Sequence, residues 1–218
     1  MSHLHLPDGV LPAWLALGAL LVMLTIVLWS LFLLERQRRL LPTVAVMAAV
    51  VLVALNIPLG LPLHLNLAAL AGIMVGPWFG FLAVFIVNIF SSLVGHGGWT
   101  VLGINTLLVG SEALVAGALF GLLGAGRALM RNVSVSVVVA LLVSTALVVG
   151  VVYLAGIELE ALVEHDHGHE VDAGHGHGHG FLEQFLKIVA PLLAIWLALE
   201  LLISLGAMRF IKRVRGGV

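Results

Sequence analysis

Long apolar runs recur along this chain and constrain its fold more than any other feature. They extend from Leu11 to Met208, interrupted only by short stretches rich in Pro, Gly or charge and by one long polar segment. Hydrophobic residues make up 61% of the 218 positions and charged residues 10%, a balance outside that of soluble domains. Each membrane crossing needs roughly 20 apolar residues, and a helix satisfies its own backbone polar groups in lipid. The sequence therefore predicts an all-α polytopic membrane protein.

The interruptions predict about seven transmembrane helices in a single transmembrane domain, residues 1–218. The third and fourth spans are short and separated only by Gly76-Pro77, so one broken helix, giving six spans, is the alternative. The long polar segment, residues 158–180, is predicted to be a flexible loop. The predicted spans are 11–34, 42–58, 61–76, 77–94, 101–126, 133–157 and 181–208.

Lys and Arg residues predict the orientation, because short cytoplasmic connections are enriched in them. Lys187 lies near the opposite end of the last span and can extend to the interface. The other nine follow the first, fifth and seventh spans: Arg36, Arg38, Arg39, Arg127, Arg131, Arg209, Lys212, Arg213 and Arg215. We therefore expect a multi-pass protein of the cell (inner) membrane with its N-terminus outside and its C-terminus in the cytoplasm. No signal-peptide pattern is present, so the N-terminus is expected to stay on the mature protein.

All ten histidines fall on the predicted outer side, in the N-terminal tail, in two short connections and in the long loop, which is therefore extracytoplasmic. Cysteine is absent, which leaves histidine as the obvious soft-metal ligand. The formal net charge is −1, so no basic surface argues for nucleic acid as a partner. The pattern favours a metal cation arriving from outside.

The N-terminal tail, residues 1–10, is a candidate chelating segment. If Met1 is removed, the amine of Ser2 and the amide and imidazole of His3 offer three nitrogen ligands in a plane, which suits Ni(II) or Cu(II). If Met1 is retained, His3 stands third and can still chelate. His5 lies nearby, and the turn at 7–9 would hold the tail at the membrane surface. Incidental histidines in a disordered tail are the alternative.

Residues elsewhere complete this candidate metal site. His64 lies among apolar neighbours at the outer start of the third span, where ionisable residues are costly and usually functional. A structural histidine is the alternative. Asp8, His96 and Asn105 are predicted outer partners, because a metal-bound imidazole typically needs a second hydrogen-bonding group.

The long loop contains an acidic, glycine-spaced histidine tract at 164–180 that is predicted to capture cations weakly. Its glycines make it too flexible for a defined site, and a solvated loop without a metal role is the alternative. Its histidines are His165, His167, His169, His175, His177 and His179.

Glu112 and Glu200 lie inside predicted spans and need partners. Pairing with another subunit, a protonated interior group and a polar cavity all remain open. Glycine pairs spaced by four residues predict close helix packing rather than function: Gly72 with Gly76, Gly76 with Gly80, and Gly117 with Gly121.

Several enzyme motifs are missing from the sequence. It has no HExxH, GxSxG or GxxxxGK[ST] pattern. We therefore expect no enzyme activity, and any ATP hydrolysis is expected in partner subunits.

Three stretches of the sequence resemble one known family. Residues 5–11 read His-Leu-Pro-Asp-Gly-Val-Leu, and this run resembles the N-terminal Met-His-x-Pro-Asp-Gly signature of the CbiM/NikM family. Its members are the substrate-capture membrane subunits of cobalt and nickel energy-coupling-factor transporters. Residues 56–65, followed by Gly-Pro-Trp at 76–78, are similar to its segment with an internal histidine. Residues 95–105 are similar to its Gly-Asp-Gly-Gly…Gly-x-Asn stretch, although His96 stands where an acidic residue is usual.

The resemblance implies that the metal is held by the N-terminal amine, the histidine near it and His64. In the family that histidine directly follows the initiator Met, whereas four residues precede His5 here. Either His5 keeps its place without the amine, or Ser2 and His3 take over, which we favour.

The resemblance also implies Ni²⁺ or Co²⁺ as transported substrate, no permanent cofactor, and several partners. These are a transmembrane coupling subunit, cytoplasmic ATPases and often a small accessory membrane subunit. Nitrogen ligands do not separate nickel from cobalt, and binding should weaken as pH falls and they protonate. The alternatives are a secondary transporter driven by protons through Glu112 or Glu200, and a membrane metal sensor or metalloenzyme.

Overall fold

The computed structural model describes residues 11–56, 65–95, 97–124, 126, 128–155 and 179–215, with side chains of the last helix described from 194 to 214. All regular secondary structure in these ranges is helical. A 3₁₀ turn, Arg38–Leu40, precedes the second helix. The helices are α1 (Ala13–Arg36), α2 (Leu41–Leu55), α3 (Ala68–Val75), α4 (Pro77–Leu93), α5 (Leu102–Leu123), α6 (Leu129–Ala155) and α7 (His179–Arg215).

Most of these helices are long and apolar enough to cross a membrane. Five segments meet that requirement, and α4 is a shorter apolar helix. The predicted all-α, multi-pass membrane architecture is therefore confirmed, whereas the direction of insertion stays a prediction. The five segments are 13–36, 38–55, 102–123, 129–155 and 194–214.

Several helix ends differ from the predicted spans. Helix α3 begins at Ala68, after non-helical residues 65–67, and α6 begins at Leu129 rather than at 133. Gly124 adopts φ 73° and ends α5 at Leu123, a C-terminal conformation that favours glycine. Asn132 Nδ2 donates to the Leu123 and Gly124 carbonyls at 3.1 and 2.9 Å, so the last turn of α5 is capped from α6. At the other end of the chain, α7 continues to Arg215, so the terminal basic residues extend the last helix rather than follow it.

The chain reverses direction between α3 and α4. Gly76 adopts φ 91°, and a Cβ built on Gly80 would lie 2.7 Å from the Cα of Gly72. Residues eight apart in one continuous helix would be roughly 12 Å apart along its axis. The predicted break at Gly76-Pro77 is therefore a tight turn between two antiparallel helices. Helix α3 has only eight residues, so it covers less than half of a bilayer.

Helix α5 lies at the centre of the molecule, in contact with α1, α3, α4 and α6. Three of its glycines, spaced by seven residues, allow these contacts. A Cβ on Gly103 would lie 2.6 Å from Leu20 Cα, one on Gly110 2.5 Å from the Phe81 ring, and one on Gly117 2.6 Å from the Gly72 carbonyl oxygen. Close packing was predicted for Gly72, Gly80 and Gly117 and is confirmed there, but Gly76 and Gly121 have no such neighbour.

Candidate functional site

Most predicted metal ligands lie outside the described residues. This applies to Ser2, His3, His5, Asp8, His64, His96 and five loop histidines: His165, His167, His169, His175 and His177. His179 is the first residue of α7, and its side chain is not among those described. Within the described part of the chain, no three His, Asp or Glu side chains group as a metal site.

Asn105 is the predicted outer partner that the structure describes. It is buried at the start of α5, and its backbone N–H donates to the Val101 carbonyl at 3.0 Å. Nearby on the same helix, Thr106 Oγ1 accepts a hydrogen bond of 3.2 Å from Asn88 Nδ2 of α4. The start of α5 is therefore joined to α4 through a buried Asn88–Thr106 pair, for which the sequence had offered no prediction.

A second group of buried polar residues surrounds the segment that follows His64. Residues 65–67 are non-helical and buried, and they lead directly into α3. Leu67 adopts the left-handed conformation, with φ 54°, which is uncommon for a residue other than glycine. Such a conformation persists where the surroundings hold it in place. We call residues 65–67 the α3 entry turn.

Glu112 holds the α3 entry turn from α5. Its Oε2 accepts a hydrogen bond of 2.6 Å from Asn66 Nδ2, and both side chains are about 1% exposed. Ser144 of α6, whose hydroxyl donates to the Leu108 carbonyl at 3.1 Å, lies beside the Glu112 carboxyl group. The turn is thus connected to the centre of the molecule.

Glu200 holds the same turn from α7. Its Oε1 accepts a hydrogen bond of 3.1 Å from the backbone N–H of Leu67, and its side chain is fully buried. Glu200 belongs to a buried stripe on α7 whose members recur every four residues, as expected for one helix face. The members are Trp196, Glu200, Ser204 and Met208.

The two glutamates therefore meet around one turn of the backbone. Their carboxyl groups lie close enough to interact electrostatically. The buried polar and charged side chains of the described residues include no Lys, Arg or His that would neutralise them. Three oxygens of the cluster have no hydrogen-bond partner in the described part of the chain: Asn66 Oδ1, Glu112 Oε1 and Glu200 Oε2.

This arrangement favours an interior role for both glutamates over pairing with another subunit. Glu112 and Glu200 face the interior of their own chain, where an amide and a backbone N–H are their partners. The sequence signal for Asn66 was weak but real: a polar side chain two residues after a candidate ligand, within an otherwise apolar segment. The contact of Leu67 N–H with Glu200, 133 residues away, left no local signal.

One known protein family matches nearly the whole length of the chain. A family profile described as the cobalt uptake substrate-specific transmembrane region, CbiM, matches residues 5–218. The match starts at His5 and includes His64, the α3 entry turn and both buried glutamates. Searches of curated proteins and of solved structures found no significant match. The chain is a membrane component of cobalt uptake and belongs to the CbiM family.

Proposed function

We propose that this chain is the substrate-capture component of an ATP-driven energy-coupling-factor importer for Co²⁺ or Ni²⁺. The family match over residues 5–218 is the observation that carries the proposal. The sequence has no phosphate-binding loop of its own, so ATP hydrolysis is assigned to partner ATPases. A transmembrane coupling subunit, and in some assemblies a small accessory membrane subunit, would connect the ATPases to this chain.

The proposed ligands are nitrogen atoms of the N-terminal tail and of His64. Amine and imidazole nitrogens suit Co²⁺ and Ni²⁺, and these donors do not distinguish the two ions. Ser2 and His3 are favoured in the tail, with His5 close by, although the family match begins only at His5. Asp8, His96 and Asn105 are proposed outer partners, and the histidine tract at 164–180 is proposed to raise the local cation concentration.

Replacing His64 tests this function. We expect His64→Ala to lower the Co²⁺ affinity of the purified chain by more than the roughly 10- to 100-fold typical of losing an outer partner. Calorimetric titration measures the affinity, and metal uptake by cells that also express the partner subunits measures transport.

Parallel His3→Ala and His5→Ala variants assign the ligand of the tail, and removal of residues 164–180 should affect uptake only at low metal concentration. Unchanged affinity and uptake in His64→Ala would contradict the proposal.

The buried glutamates support a second candidate, a secondary transporter that is driven by protons through Glu112 or Glu200. Two carboxyl groups without a neighbouring cation among the described residues are a feature of proton-coupled carriers. Cobalt uptake that persists in cells lacking every partner ATPase, and that stops when the proton gradient is collapsed, would favour this candidate over the importer.

A further inference from the structure

The α3 entry turn is held by two helices that are remote from it in sequence. Asn66 and Leu67 are consecutive residues, and each donates one hydrogen bond to a different buried glutamate. Glu112 lies midway along α5, and Glu200 lies in the buried stripe of α7. The turn is therefore fixed from two directions, through one side chain and one backbone group.

The turn directly follows His64 in the chain. Leu65, the first residue of the turn, separates His64 from Asn66, and successive Cα atoms are about 3.8 Å apart. Leu65 is itself buried, so the turn is anchored throughout its length. Because Asn66 is only two residues from His64, a displacement of Asn66 and Leu67 also moves the backbone of His64.

We infer that Glu112 and Glu200 are positioning residues for the metal site, acting as hydrogen-bond acceptors that hold the turn behind His64. The inference rests on the proposed function, because it takes His64 as a metal ligand. Metal affinity depends on ligands that are held in place before the ion arrives. In this role neither glutamate is a metal ligand: Glu112 acts through the Asn66 side chain and Glu200 through the backbone N–H of Leu67.

Substitution of the glutamates by glutamine distinguishes a positioning role from cation binding. A glutamine oxygen accepts a hydrogen bond as a carboxyl oxygen does, but glutamine has no charge. If the glutamates position the turn, glutamine retains the role and leucine abolishes it. If they carry a cation or a proton, glutamine fails as completely as leucine does.

The first experiment compares Glu200→Leu with Glu200→Gln in the purified full-length chain. We expect Glu200→Leu to weaken Co²⁺ binding about tenfold or more, since it leaves the buried N–H of Leu67 without an acceptor. Glu200→Gln should restore most of the affinity. Equal losses in the two variants would overturn the positioning role in favour of a requirement for charge.

The second experiment exchanges donor and acceptor at the other contact. Asn66→Asp places two carboxyl groups against each other and should weaken Co²⁺ binding. Adding Glu112→Gln supplies an amide donor from α5, so the double variant should recover affinity. A double variant no better than Asn66→Asp would overturn the inference for Glu112.

A third measurement needs no metal. The chain has no cysteine, so Leu61→Cys provides a single position for a spin label three residues before the candidate ligand in the sequence. We expect the label to become more mobile in Glu200→Leu and to return to its original mobility in Glu200→Gln. A label at Leu122→Cys, whose native side chain is 84% exposed at the far end of α5, should not change.

Asn132→Leu is the matched control. Like Glu200→Leu it replaces a buried polar side chain by leucine, but Asn132 Nδ2 donates to two carbonyls between α5 and α6. It should lower thermal stability and leave Co²⁺ affinity and the Leu61→Cys label unchanged. If it weakens binding as much as Glu200→Leu does, the effect is general destabilisation and the inference fails.

The outcomes for the two claims are distinguishable. If His64→Ala abolishes binding while the Glu200 and Glu112 variants bind normally, the inference fails and the proposed function stands. If His64→Ala binds normally, the proposed function fails, and an immobile label in Glu200→Leu would then show that the glutamates do not hold the turn either.

Discussion

At the scale of residues, polar side chains inside this membrane protein are connected across helices. Asn66 contacts Glu112, the N–H of Leu67 contacts Glu200, and Asn88 contacts Thr106. Leaving a buried donor without its acceptor destabilises a fold by more than the intact hydrogen bond stabilises it. Each pair therefore constrains the relative positions of the helices that carry it. The Asn88–Thr106 pair fixes α4 against α5.

Removing one member of that pair should show this cost. We expect Thr106→Val to lower the free energy of unfolding by about 1–3 kcal/mol, because Asn88 Nδ2 loses its acceptor in the interior. The double variant Thr106→Val/Asn88→Leu should lose less free energy of unfolding than the sum of the losses in the two single variants. Unfolding in mixed micelles, followed by circular dichroism, measures all three.

Thr25→Val is the control for this cycle. The Thr25 hydroxyl donates to the Leu21 carbonyl of its own helix on the exposed side of α1. Its replacement should change stability little. Strictly additive losses for Thr106→Val and Asn88→Leu would show that the two side chains do not stabilise each other.

At the scale of elements, the close approach of α5 to its neighbours depends on small residues. Gly117 lies against the Gly72 carbonyl of α3 and against Pro77 at the start of α4. Gly121, one turn further along α5, has no heavy atom within 4 Å of a built Cβ. A methyl group added at Gly117 would therefore clash with neighbouring backbone, whereas one added at Gly121 would not.

Alanine at each position tests this difference. Gly117→Ala should destabilise the chain by about 1–3 kcal/mol, since backbone of α3 and α4 would have to shift. Gly121→Ala should be neutral or stabilise by up to about 1 kcal/mol, because alanine favours helix. Thermal unfolding in detergent measures both, and similar midpoints for the two variants would refute the proposed contact.

At the scale of the whole molecule, α5 contacts most of the other helices, whereas α7 packs chiefly against α6. The contact of Glu200 with Leu67 is therefore a specific connection from α7 to the start of α3. Residues 209–215 extend α7 as a basic helical end, on the predicted cytoplasmic side. Helix α7 thus connects its basic end, on the predicted cytoplasmic side, to Glu200 and the turn behind the candidate ligand.

The orientation is testable because the chain has no cysteine. Val94→Cys follows α4 and Leu122→Cys lies near the end of α5, and both native side chains are exposed. A membrane-impermeant thiol reagent should label Val94→Cys in intact cells. It should label Leu122→Cys only after the cells are permeabilised, and the reverse pattern would contradict the predicted outer location of the histidines.

The fold could be predicted largely from the sequence, and the site only in part. Helical spans follow from apolar length, which is a local property, and the break at Gly76-Pro77 follows from residues that end helices. The glutamates were recognisable as buried groups needing partners, because charge inside an apolar span is rare. Their common partner was not recognisable.

The sequence by itself determined a multi-pass helical membrane protein, the break between α3 and α4 and the family to which it belongs, since these depend on local composition and on short motifs. Only the tertiary structure decided that Glu112 and Glu200 meet at Asn66 and Leu67. That contact joins positions 46 and 133 residues apart, and one of its donors is a backbone N–H. Every residue type except proline carries such a donor, so sequence identity does not mark it.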